Sequence, residues 1–388
     1  MEIKYSLSND TWDELELAAI ERVIKSNSFT MGAEVRKYER EFAARFGSKY
    51  AVMSNSGSSA NLLMMFALIY SNRLQKGDEV LVPAISWGTT YFPIEQCGLK
   101  TRLVDIDKNT LNIDASKLEK AITSDTKALL AVNLLGNPND FDLLASMCKK
   151  HNLILLEDNC ESMGAKYHGK ETGTFGLMGT FSTFYSHHLS TMEGGVTITD
   201  DEEMYHYLLS IRAHGWTRQL PQNSKLWTKS EDEFYESFRF IMPGFNVRPL
   251  EIEAAIGSEQ LRKLDAFLKV RRDNAVFFLK AMQNNERFSV QTNTDDSSWF
   301  GFALVLKTEY VGQRDKYIKA LRQAGIEVRP IVTGNFAKQP AFKYMNASIS
   351  GILSNADYIH DNGFFVGNHS IPMDKQIILL RDALSKVE

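Results

Sequence analysis

The sequence is poor in cysteine and in long apolar runs. Its three cysteines, Cys97, Cys148 and Cys160, are widely spaced and odd in number, which argues against a disulfide framework or a four-thiolate iron–sulfur site. No uncharged apolar run reaches the roughly 18 residues that span a bilayer, and the first residues lack the basic, then apolar pattern of a signal peptide. We therefore expect a cytoplasmic protein with no membrane partner.

An excess of positive charge is missing as well. The chain has 44 lysines and arginines against 48 aspartates and glutamates, a net charge of −4, which does not favour a nucleic-acid partner. No cluster has metal-ligand spacing: His187 and His188 are adjacent, so their side chains diverge, and no third ligand is placed near them. We expect no metal site.

What is present is an alternation of strands and helices over most of the chain. Apolar, β-prone runs such as Leu153-Ile154-Leu155-Leu156 alternate with helical patterns, which predicts an α/β fold with a mostly parallel central sheet and helices on both faces. The first helix is expected from Thr11 to Lys25, capped by Asp10 or Thr11. A long amphipathic helix from about Leu261 leads to a smaller C-terminal α/β domain. With 388 residues, two domains are expected, at 1–260 and 261–388.

The stretch from Phe181 to Gly195 is the most informative part of the sequence. It opens as a β-prone run, becomes polar at His187 and His188, and closes on Glu193-Gly194-Gly195 before another strand. Upstream, Asp158 ends the apolar run 153–156. A carboxylate at the carboxyl end of a buried parallel strand lies where open α/β sheets bind their ligands.

These motifs together resemble the pyridoxal-phosphate sugar aminotransferases of fold type I, the aspartate-aminotransferase-like fold. The resemblance rests on Leu-Leu-Glu-Asp, ending at Asp158, on Thr-Phe-Ser-Thr-Phe and on Glu-Gly-Gly, and it extends from Phe29 to His369. In that family a lysine forms the Schiff base with the cofactor, and here His187 stands in its place. With a histidine at this position, the sequence resembles the subgroup of GDP-4-keto-6-deoxymannose 3-dehydratases, which also carry one there. These enzymes make dideoxysugars (colitose) for lipopolysaccharide O-antigen. A related CDP-sugar dehydrase also carries this histidine but needs an iron–sulfur cluster, for which three cysteines are too few.

The resemblance implies a cofactor site for pyridoxal or pyridoxamine 5′-phosphate. Asp158 pairs with the ring nitrogen, Trp87 stacks on the ring, and Glu161 reaches the 3-hydroxyl. The small-residue turn at 54–61 suits a phosphate, because a helix N-terminus offers free N–H groups. The phosphate contacts implied are Gly57, Ser58, Ser182 and, from the partner subunit of a homodimer with shared sites, Asn246. By themselves, the turn could simply cap a helix, and Trp87 could be a core residue.

Without a lysine at position 187, the amine form of the cofactor is held by non-covalent contacts. Lys166 and Lys170 are poor substitutes, since they fall in a turn before the strand at 180–184. Imidazole, with an ordinary pKa near 6.5, can take a proton and return it to a leaving hydroxyl, so His187 is predicted to be the catalytic acid and base. His188 is the rival, because only family spacing separates the two.

The remaining implied contacts concern the two substrates. His214 and Arg218 would hold L-glutamate, which regenerates pyridoxamine phosphate; an arginine that simply faces solvent is the alternative for Arg218. Phe29, Thr30 and Met31 would contact the GDP-sugar, although a plain connection between helices is the alternative; Arg329 would lie near the nucleotide. Two other functions stay open: an ordinary sugar aminotransferase that uses a lysine from elsewhere, and a non-catalytic sugar or cofactor sensor with this fold.

Overall fold

The computed structural model describes residues 2–387, which form three sheets and twelve α-helices. The strands are β1 (Tyr50–Ser54), β2 (Glu79–Pro83), β3 (Lys100–Val104), β4 (Thr126–Val132), β5 (Ile154–Asp158), β6 (Lys166–Tyr167), β7 (Lys170–Glu171), β8 (Met178–Ser182), β9 (Gly195–Thr199), β10 (Phe288–Val290), β11 (Gly301–Leu306), β12 (Ala347–Ile349) and β13 (Gly363–Gly367). The helices are α1 (Glu14–Ser26), α2 (Ala33–Phe46), α3 (Gly57–Tyr70), α4 (Gly88–Gln96), α5 (Ala115–Ala121), α6 (Phe141–His151), α7 (Glu202–Arg212), α8 (Glu233–Glu236), α9 (Glu251–Met282), α10 (Arg314–Gln323), α11 (Ser354–Asn362) and α12 (Asp374–Ser385).

The large sheet has eight strands in the order β1-β9-β8-β5-β4-β2-β3-β12. β9 runs antiparallel to both of its neighbours, and the other strands of this sheet run parallel to one another. Their carboxyl ends therefore meet at one edge, where β1, β2, β4, β5 and β8 all deliver the loops that follow them. The predicted mostly parallel sheet is confirmed.

Helices cover both faces of this sheet, as the sequence predicted. Along β4, Ala128 and Leu130 pack into one apolar cluster with α3, α4 and α7, whereas Leu129 and Ala131 pack into another with α5 and α6. This alternation follows from the two-residue period of a strand. Both clusters are buried, so the strands read as continuous apolar runs rather than as alternating ones.

The C-terminal part of the chain builds a second core around the three-stranded sheet β10-β11-β13. Tyr5 joins this core, and its hydroxyl donates to the carbonyl of Gly367. Conversely, strand β12 comes from the C-terminal part of the chain but joins the large sheet, where it pairs with β3. The predicted boundary at 260/261 falls inside the continuous helix α9 and stays a prediction, because the chain crosses between the two cores more than once.

The first helix begins later than the sequence suggested, so the predicted cap at Asp10 or Thr11 is wrong. Asp13 is the cap: its carboxylate accepts the N–H of Leu15, and Glu16 accepts the N–H of Asp13 in return. This reciprocal arrangement satisfies two N–H groups of the first turn. Thr11 instead donates its hydroxyl to Gln260 of α9.

Among residues 2–387, no helix combines the length and the apolar composition that crossing a bilayer requires.

Candidate active site

Asp158 is a buried carboxylate at the carboxyl end of β5. Its Oδ2 accepts hydrogen bonds from Asn61 Nδ2 of α3 at 2.9 Å and from Thr90 Oγ1 of α4 at 2.8 Å, and its Oδ1 accepts the N–H of Cys160 at 3.1 Å. No basic side chain in the described part of the chain forms an ion pair with it. A buried carboxylate needs such donors or a cationic partner. The arrangement fits a cationic ring nitrogen that arrives with a cofactor.

The turn before α3 has the construction expected of a phosphate site. Ser56 caps the helix by accepting the N–H of Ser59, and Ser58 donates its hydroxyl to Thr89 of α4 at 2.9 Å. At Gly57, an added Cβ would lie 2.7 Å from Cβ of Ser182, at the end of β8. The turn and Ser182 lie so close together that only glycine fits at position 57. The structure thus brings together three of the predicted phosphate contacts.

Trp87 lies at the N-terminus of α4, directly after the loop that leaves β2. Its side chain is 59% exposed, so the alternative of a core tryptophan is wrong. The neighbouring residues Thr89 and Thr90 contact Ser58 and Asp158, respectively. The indole is therefore exposed next to the helical turn whose threonines contact Ser58 and Asp158, which suits a residue that stacks on a planar ring.

Glu161 follows Asp158 by three residues but has a different environment. It accepts one hydrogen bond, from the N–H of Leu135 at 3.0 Å. Leu135 has φ 54°, a left-handed conformation that non-glycine residues adopt rarely, and it lies in the turn after β4. Burial raises the pKa of Glu161 to about 7, and the charge of Asp158 acts in the same direction. The carboxyl group is thus half neutral near neutral pH.

The two histidines of the loop after β8 differ in exposure and in partners. His187 is partly exposed and lies between two aromatic rings, with centroid distances of 5.8 Å to Phe184 and 5.1 Å to Phe300. His188 is buried, and its Nε2 lies 3.1 Å from the carbonyl oxygen of Ser298, to which it donates. Both imidazoles thus lie against the segment 298–300; only His188 is fully buried and hydrogen-bonded there, and His187 stays partly exposed.

Burial changes the acid–base behaviour of both imidazoles. Together with the positive charge of buried Arg271, it lowers the pKa of His187 to about 4 and holds the pKa of His188 well below 6.5. His187 is therefore a neutral base at neutral pH, and not the half-protonated group that an ordinary pKa implies. Its Nδ1 is buried and has no hydrogen-bond partner among residues 2–387, which adds to the cost of charging the ring.

The two lysines that the sequence analysis rejects as substitutes for the family's lysine make their contacts on a hairpin. Lys166 and Lys170 lie on the β6–β7 hairpin, where the amine of Lys166 is 3.5 Å from the carboxylate of Glu171. The amine of Lys170 donates to the carbonyl of Thr174. Neither amine is among the partners of Asp158, Glu161 or His187.

The predicted glutamate-binding residues lie on the loop after α7. His214 and Arg218 are both exposed, and the guanidinium of Arg218 lies 5.1 Å from the centre of the Trp216 ring. Ala213 pairs with Asn246 in an isolated bridge, so this loop adjoins the exposed residue predicted to reach the partner's cofactor. Oδ1 of Asn246 accepts a hydrogen bond from Nε of Arg248 at 2.9 Å.

The predicted sugar contacts form a turn fastened to α9. The carbonyl of Phe29 accepts the N–H of Glu251, Thr30 bridges to Leu250, and Met31 is partly buried beside them. Arg329 is exposed and pairs through its backbone with Phe365. None of the contacts described for Arg329 joins it to Asp158, Trp87 or His187. The predicted contact of Arg329 with the nucleotide therefore stays a prediction.

Several residues of the site were not predicted. Asn61 and Thr90 lay within stretches that the sequence had singled out, but only tertiary structure places them on Asp158. Phe300 and Ser298 come from a segment remote in sequence that docks on the turn after β4, where the N–H of Phe300 donates to the carbonyl of Leu135. No sequence pattern signals such a contact.

Comparison with known proteins agrees with this geometry. A profile of the DegT/DnrJ/EryC1/StrS aminotransferase family matches residues 10–377. A GDP-4-keto-6-deoxy-D-mannose 3-dehydratase from Yersinia pseudotuberculosis is 56% identical over 388 residues, covering 99% of each chain. The Escherichia coli GDP-4-keto-6-deoxy-D-mannose 3-dehydratase with bound hydrated pyridoxal phosphate has a TM-score of 0.97 at 54% identity, covering 99% of this chain and 100% of the other.

A second solved structure, a GDP-4-keto-6-deoxymannose 3-dehydratase with a trapped geminal diamine of pyridoxal phosphate and glutamate, has a TM-score of 0.96 at 54% identity. It covers 98% of this chain and 100% of the other. The predicted fold type and the predicted resemblance are both confirmed. The chain belongs to the DegT/DnrJ/EryC1/StrS aminotransferase family.

Proposed function

We propose that the protein is a pyridoxamine-phosphate-dependent dehydratase that removes the C3 hydroxyl of GDP-4-keto-6-deoxymannose. The product is GDP-4-keto-3,6-dideoxymannose, for dideoxysugar biosynthesis, and L-glutamate regenerates the amine form of the cofactor. The full-length relatives of this name and the relative trapped with glutamate support both halves of the reaction. Because nucleotide sugars and glutamate are cytoplasmic metabolites, we place the reaction in the cytoplasm.

The residues that would hold the cofactor fit its chemistry. Gly57, Ser58 and Ser182 surround the phosphate turn at the N-terminus of α3, Trp87 offers a ring face, and Asp158 offers a buried charge. When bound, the cofactor supplies an electron-accepting ring and an amine that can condense with a ketosugar. The protein contributes orientation and the proton transfers.

His187 carries the proposal, because the family resemblance assigns to this position the lysine that binds the cofactor, and here the residue is a histidine. Neutral at neutral pH, it can accept the proton whose removal starts elimination. The resulting imidazolium can then donate that proton to the C3 hydroxyl as it leaves. The flanking rings of Phe184 and Phe300 limit the motion of the imidazole between the two steps.

The other residues bind and orient. The planar guanidinium of Arg218 suits a carboxylate of glutamate, with His214 as a second donor. Because the pKa of Glu161 is raised to about 7, its protonated carboxyl group can donate an O–H hydrogen bond to the 3-oxygen of the cofactor ring. Phe29, Thr30 and Met31 form a turn that can contact the sugar, and Arg329 we assign to the nucleotide end on the family resemblance.

We infer a homodimer in which Asn246 completes the partner's phosphate site. Two observations on the single chain support this inference: Asn246 is exposed, and so are large apolar side chains on nearby segments. These side chains are Leu17, Ile24, Phe29, Phe238, Phe240 and Leu250. Association with a second subunit would remove such apolar side chains from water.

The reaction is tested by incubating the protein with pyridoxal phosphate, glutamate and the GDP-ketosugar. Release of ammonia and 2-oxoglutarate, with loss of one oxygen from the sugar, is expected. An amino sugar without ammonia would instead identify an aminotransferase, and borohydride trapping would then fix the cofactor to a lysine. No turnover of either substrate, with the cofactor bound, would identify a sensor.

The shared site is tested by mixing two inactive variants, Asp158→Asn and Asn246→Ala. If Asn246 acts across the interface, each mixed dimer has one intact site, so an equimolar mixture regains roughly a quarter of wild-type activity. If both residues serve the same subunit's site, the mixture stays inactive. That second result would contradict the shared site and leave the reaction itself untouched.

A further inference from the structure

The segment from Ser86 to the first turn of α4 carries a chain of hydroxyl groups that ends on Asp158. Thr90 Oγ1 lies 2.8 Å from Asp158 Oδ2, and Ser86 Oγ lies 2.7 Å from Thr90 Oγ1. Both hydroxyl side chains are buried, at 2% and 1% exposure for Ser86 and Thr90, so solvent does not replace these contacts. The same turn presents Trp87 and joins Thr89 to Ser58, which couples three predicted cofactor contacts to one short segment.

The direction of the hydrogen bonds in this chain follows from the chemistry of its end. An ionised carboxylate only accepts hydrogen bonds, so Thr90 must give its single hydroxyl hydrogen to Asp158. The oxygen of Thr90 is then an acceptor, and Ser86 gives it a hydrogen. The chain is therefore ordered from Ser86 through Thr90 to Asp158, with every donor aimed at the negative charge.

The outer end of the chain is held by the C-terminal part of the protein. Thr333 donates its hydroxyl to the carbonyl of Ser86 at 2.6 Å. The preceding residue, Val332, has φ 49°, and a β-branched residue with such a φ is a genuine outlier. Strained backbone of this kind clusters at sites where geometry matters for function. Ser86 is thus fixed from outside the sheet.

A second set of donors reaches the same oxygen from α3. Asn61 Nδ2 donates to Asp158 Oδ2 at 2.9 Å, and Asn61 Oδ1 accepts the hydroxyl of Thr180 at 2.6 Å. Thr180 lies opposite Asp158 in the β5–β8 pairing, so this contact fixes the amide orientation of Asn61. Oδ2 therefore receives two side-chain donors, each oriented by a further hydroxyl.

We propose that Thr90 is a positioning residue whose ordered hydrogen bond keeps the charge on Asp158 and thereby keeps the cofactor's ring nitrogen protonated. The carboxylate and the ring nitrogen compete for one proton. Donors on the carboxylate stabilise its charged form, which leaves the proton on the nitrogen. This inference rests on the proposed role of Asp158 towards the cofactor and adds the groups that enforce it.

The experiment uses the full chain loaded with pyridoxamine phosphate labelled with ¹⁵N in the ring, observed by NMR as a function of pH. Thr90→Val keeps the volume and removes the donor, whereas Thr90→Ser keeps the donor. Thr101→Val is the matched control, because Thr101 is buried and its hydroxyl has no hydrogen-bond partner among residues 2–387. Cofactor affinity is measured on the same variants by calorimetry.

Thr90→Val is expected to move the proton from the ring nitrogen towards the carboxylate, changing this transfer equilibrium about tenfold, so that the ¹⁵N chemical shift at neutral pH moves towards that of the unprotonated ring. It should also weaken cofactor binding about tenfold, as for a lost hydrogen bond to a charged group. Thr90→Ser and Thr101→Val should match the wild type in both measurements. Equal shifts in Thr90→Val and Thr90→Ser would overturn the proposal, and so would no shift in Thr90→Val.

Two further outcomes are separable. If Thr90→Val does not fold, Ser86→Ala removes the outer donor alone, and a smaller shift in the same direction is expected; an unchanged titration would overturn the ordered chain. If the ring nitrogen of the wild type is unprotonated near neutral pH, the role of Asp158 in the proposed function fails first, and this inference falls with it.

Discussion

Two walls of the site differ in what controls the charge of their side chains: hydrogen-bond donors in one and burial in the other. The sheet wall, made of Asn61, Thr90 and Asp158, places a carboxylate among oriented donors. The junction wall, made of Glu161, His187, His188 and Phe300, lies where the C-terminal segment meets the sheet edge. There, burial outweighs hydrogen bonding: Glu161 has one donor, and the imidazole of His187 has Nδ1 unpaired within residues 2–387.

The difference suggests how the two walls divide the chemistry. Hydrogen bonds to a charge fix that charge, so the sheet wall suits a permanent countercharge. Burial with few partners disfavours charge, so Glu161 and His187 on the junction wall are neutral or close to titration, and they suit proton transfer. Substitutions on the two walls should therefore have different signatures.

The largest effect is expected on the sheet wall, from Asp158→Asn. The substitution keeps the shape, removes the countercharge and turns an amide towards the donors of Asn61 or Thr90. Dehydration should fall on the order of a hundred- to a thousandfold, as for the loss of a preorganised electrostatic contact. Steady-state ammonia release measures it, with circular dichroism to verify folding.

The control is Asp273→Asn, at an exposed aspartate paired with Lys269 on α9, which should leave the rate unchanged. Asp158→Asn with near wild-type turnover would show that the charge of the sheet wall is dispensable.

On the junction wall, His187→Lys should lower dehydration by on the order of a hundredfold or more, because the acid–base group is lost. The new amine can also bond covalently to the cofactor, so a yellow absorbance and a borohydride-reducible bond should appear. His168→Lys, at an exposed histidine, is the control and should show neither change. Undiminished dehydration in His187→Lys would exclude His187 as the base.

Glu161→Gln should have an intermediate effect that depends on pH. Glu161 is neutral below its pKa of about 7, so its ability to donate is lost as the pH rises through that value. Wild-type activity should therefore fall above about pH 7 by up to about tenfold, and the glutamine variant, which keeps a donor, should not show this decline. Initial rates from pH 6 to 9 measure it.

The same shift affects stability. Because folding raises the pKa of Glu161 from the ordinary 4.5 to about 7, the folded protein loses stability as the pH rises between these values, and the loss is complete above about pH 7. Glu161→Gln should remove on the order of 1–3 kcal/mol of this pH dependence of the free energy of unfolding in the cofactor-free protein. Glu253→Gln is the matched control: the pKa of Glu253 is also raised to about 7, so the variant should change the stability profile but not the activity profile.

The smallest effect is expected from His188, whose neutral imidazole donates to the carbonyl of Ser298. His188→Gln keeps a donor near the same place and should stay within about twofold of wild-type turnover. His188→Leu leaves the carbonyl unpaired and should lower the free energy of unfolding by about 1–3 kcal/mol. Thermal unfolding and kcat together test this, and loss of turnover in His188→Gln with retained folding would make His188 the base.

The sequence analysis predicted those site residues whose positions follow from local strand and turn patterns. The end of β5 at Asp158, the small-residue turn at Gly57 and the aromatic after β2 all follow from strand and turn patterns, and the histidine at position 187 follows from family resemblance. It failed where function depends on contacts between distant segments. The pKa values of Glu161 and His187 depend on burial, and the contacts that the two residues make with Leu135 and Phe300 come from tertiary packing that local sequence does not encode.

The strand β12 and the bond from Thr333 to Ser86 have a consequence for substrate access. They join the C-terminal part of the chain to the large sheet at two places, at the edge strand β3 and at the loop between β2 and α4. A hinge motion of the C-terminal part relative to the large sheet would have to break the β3–β12 pairing and the hydrogen bond from Thr333 to Ser86. Entry and exit of the bulky sugar nucleotide should therefore proceed through movement of rim side chains, and solution scattering curves with and without either substrate should superimpose.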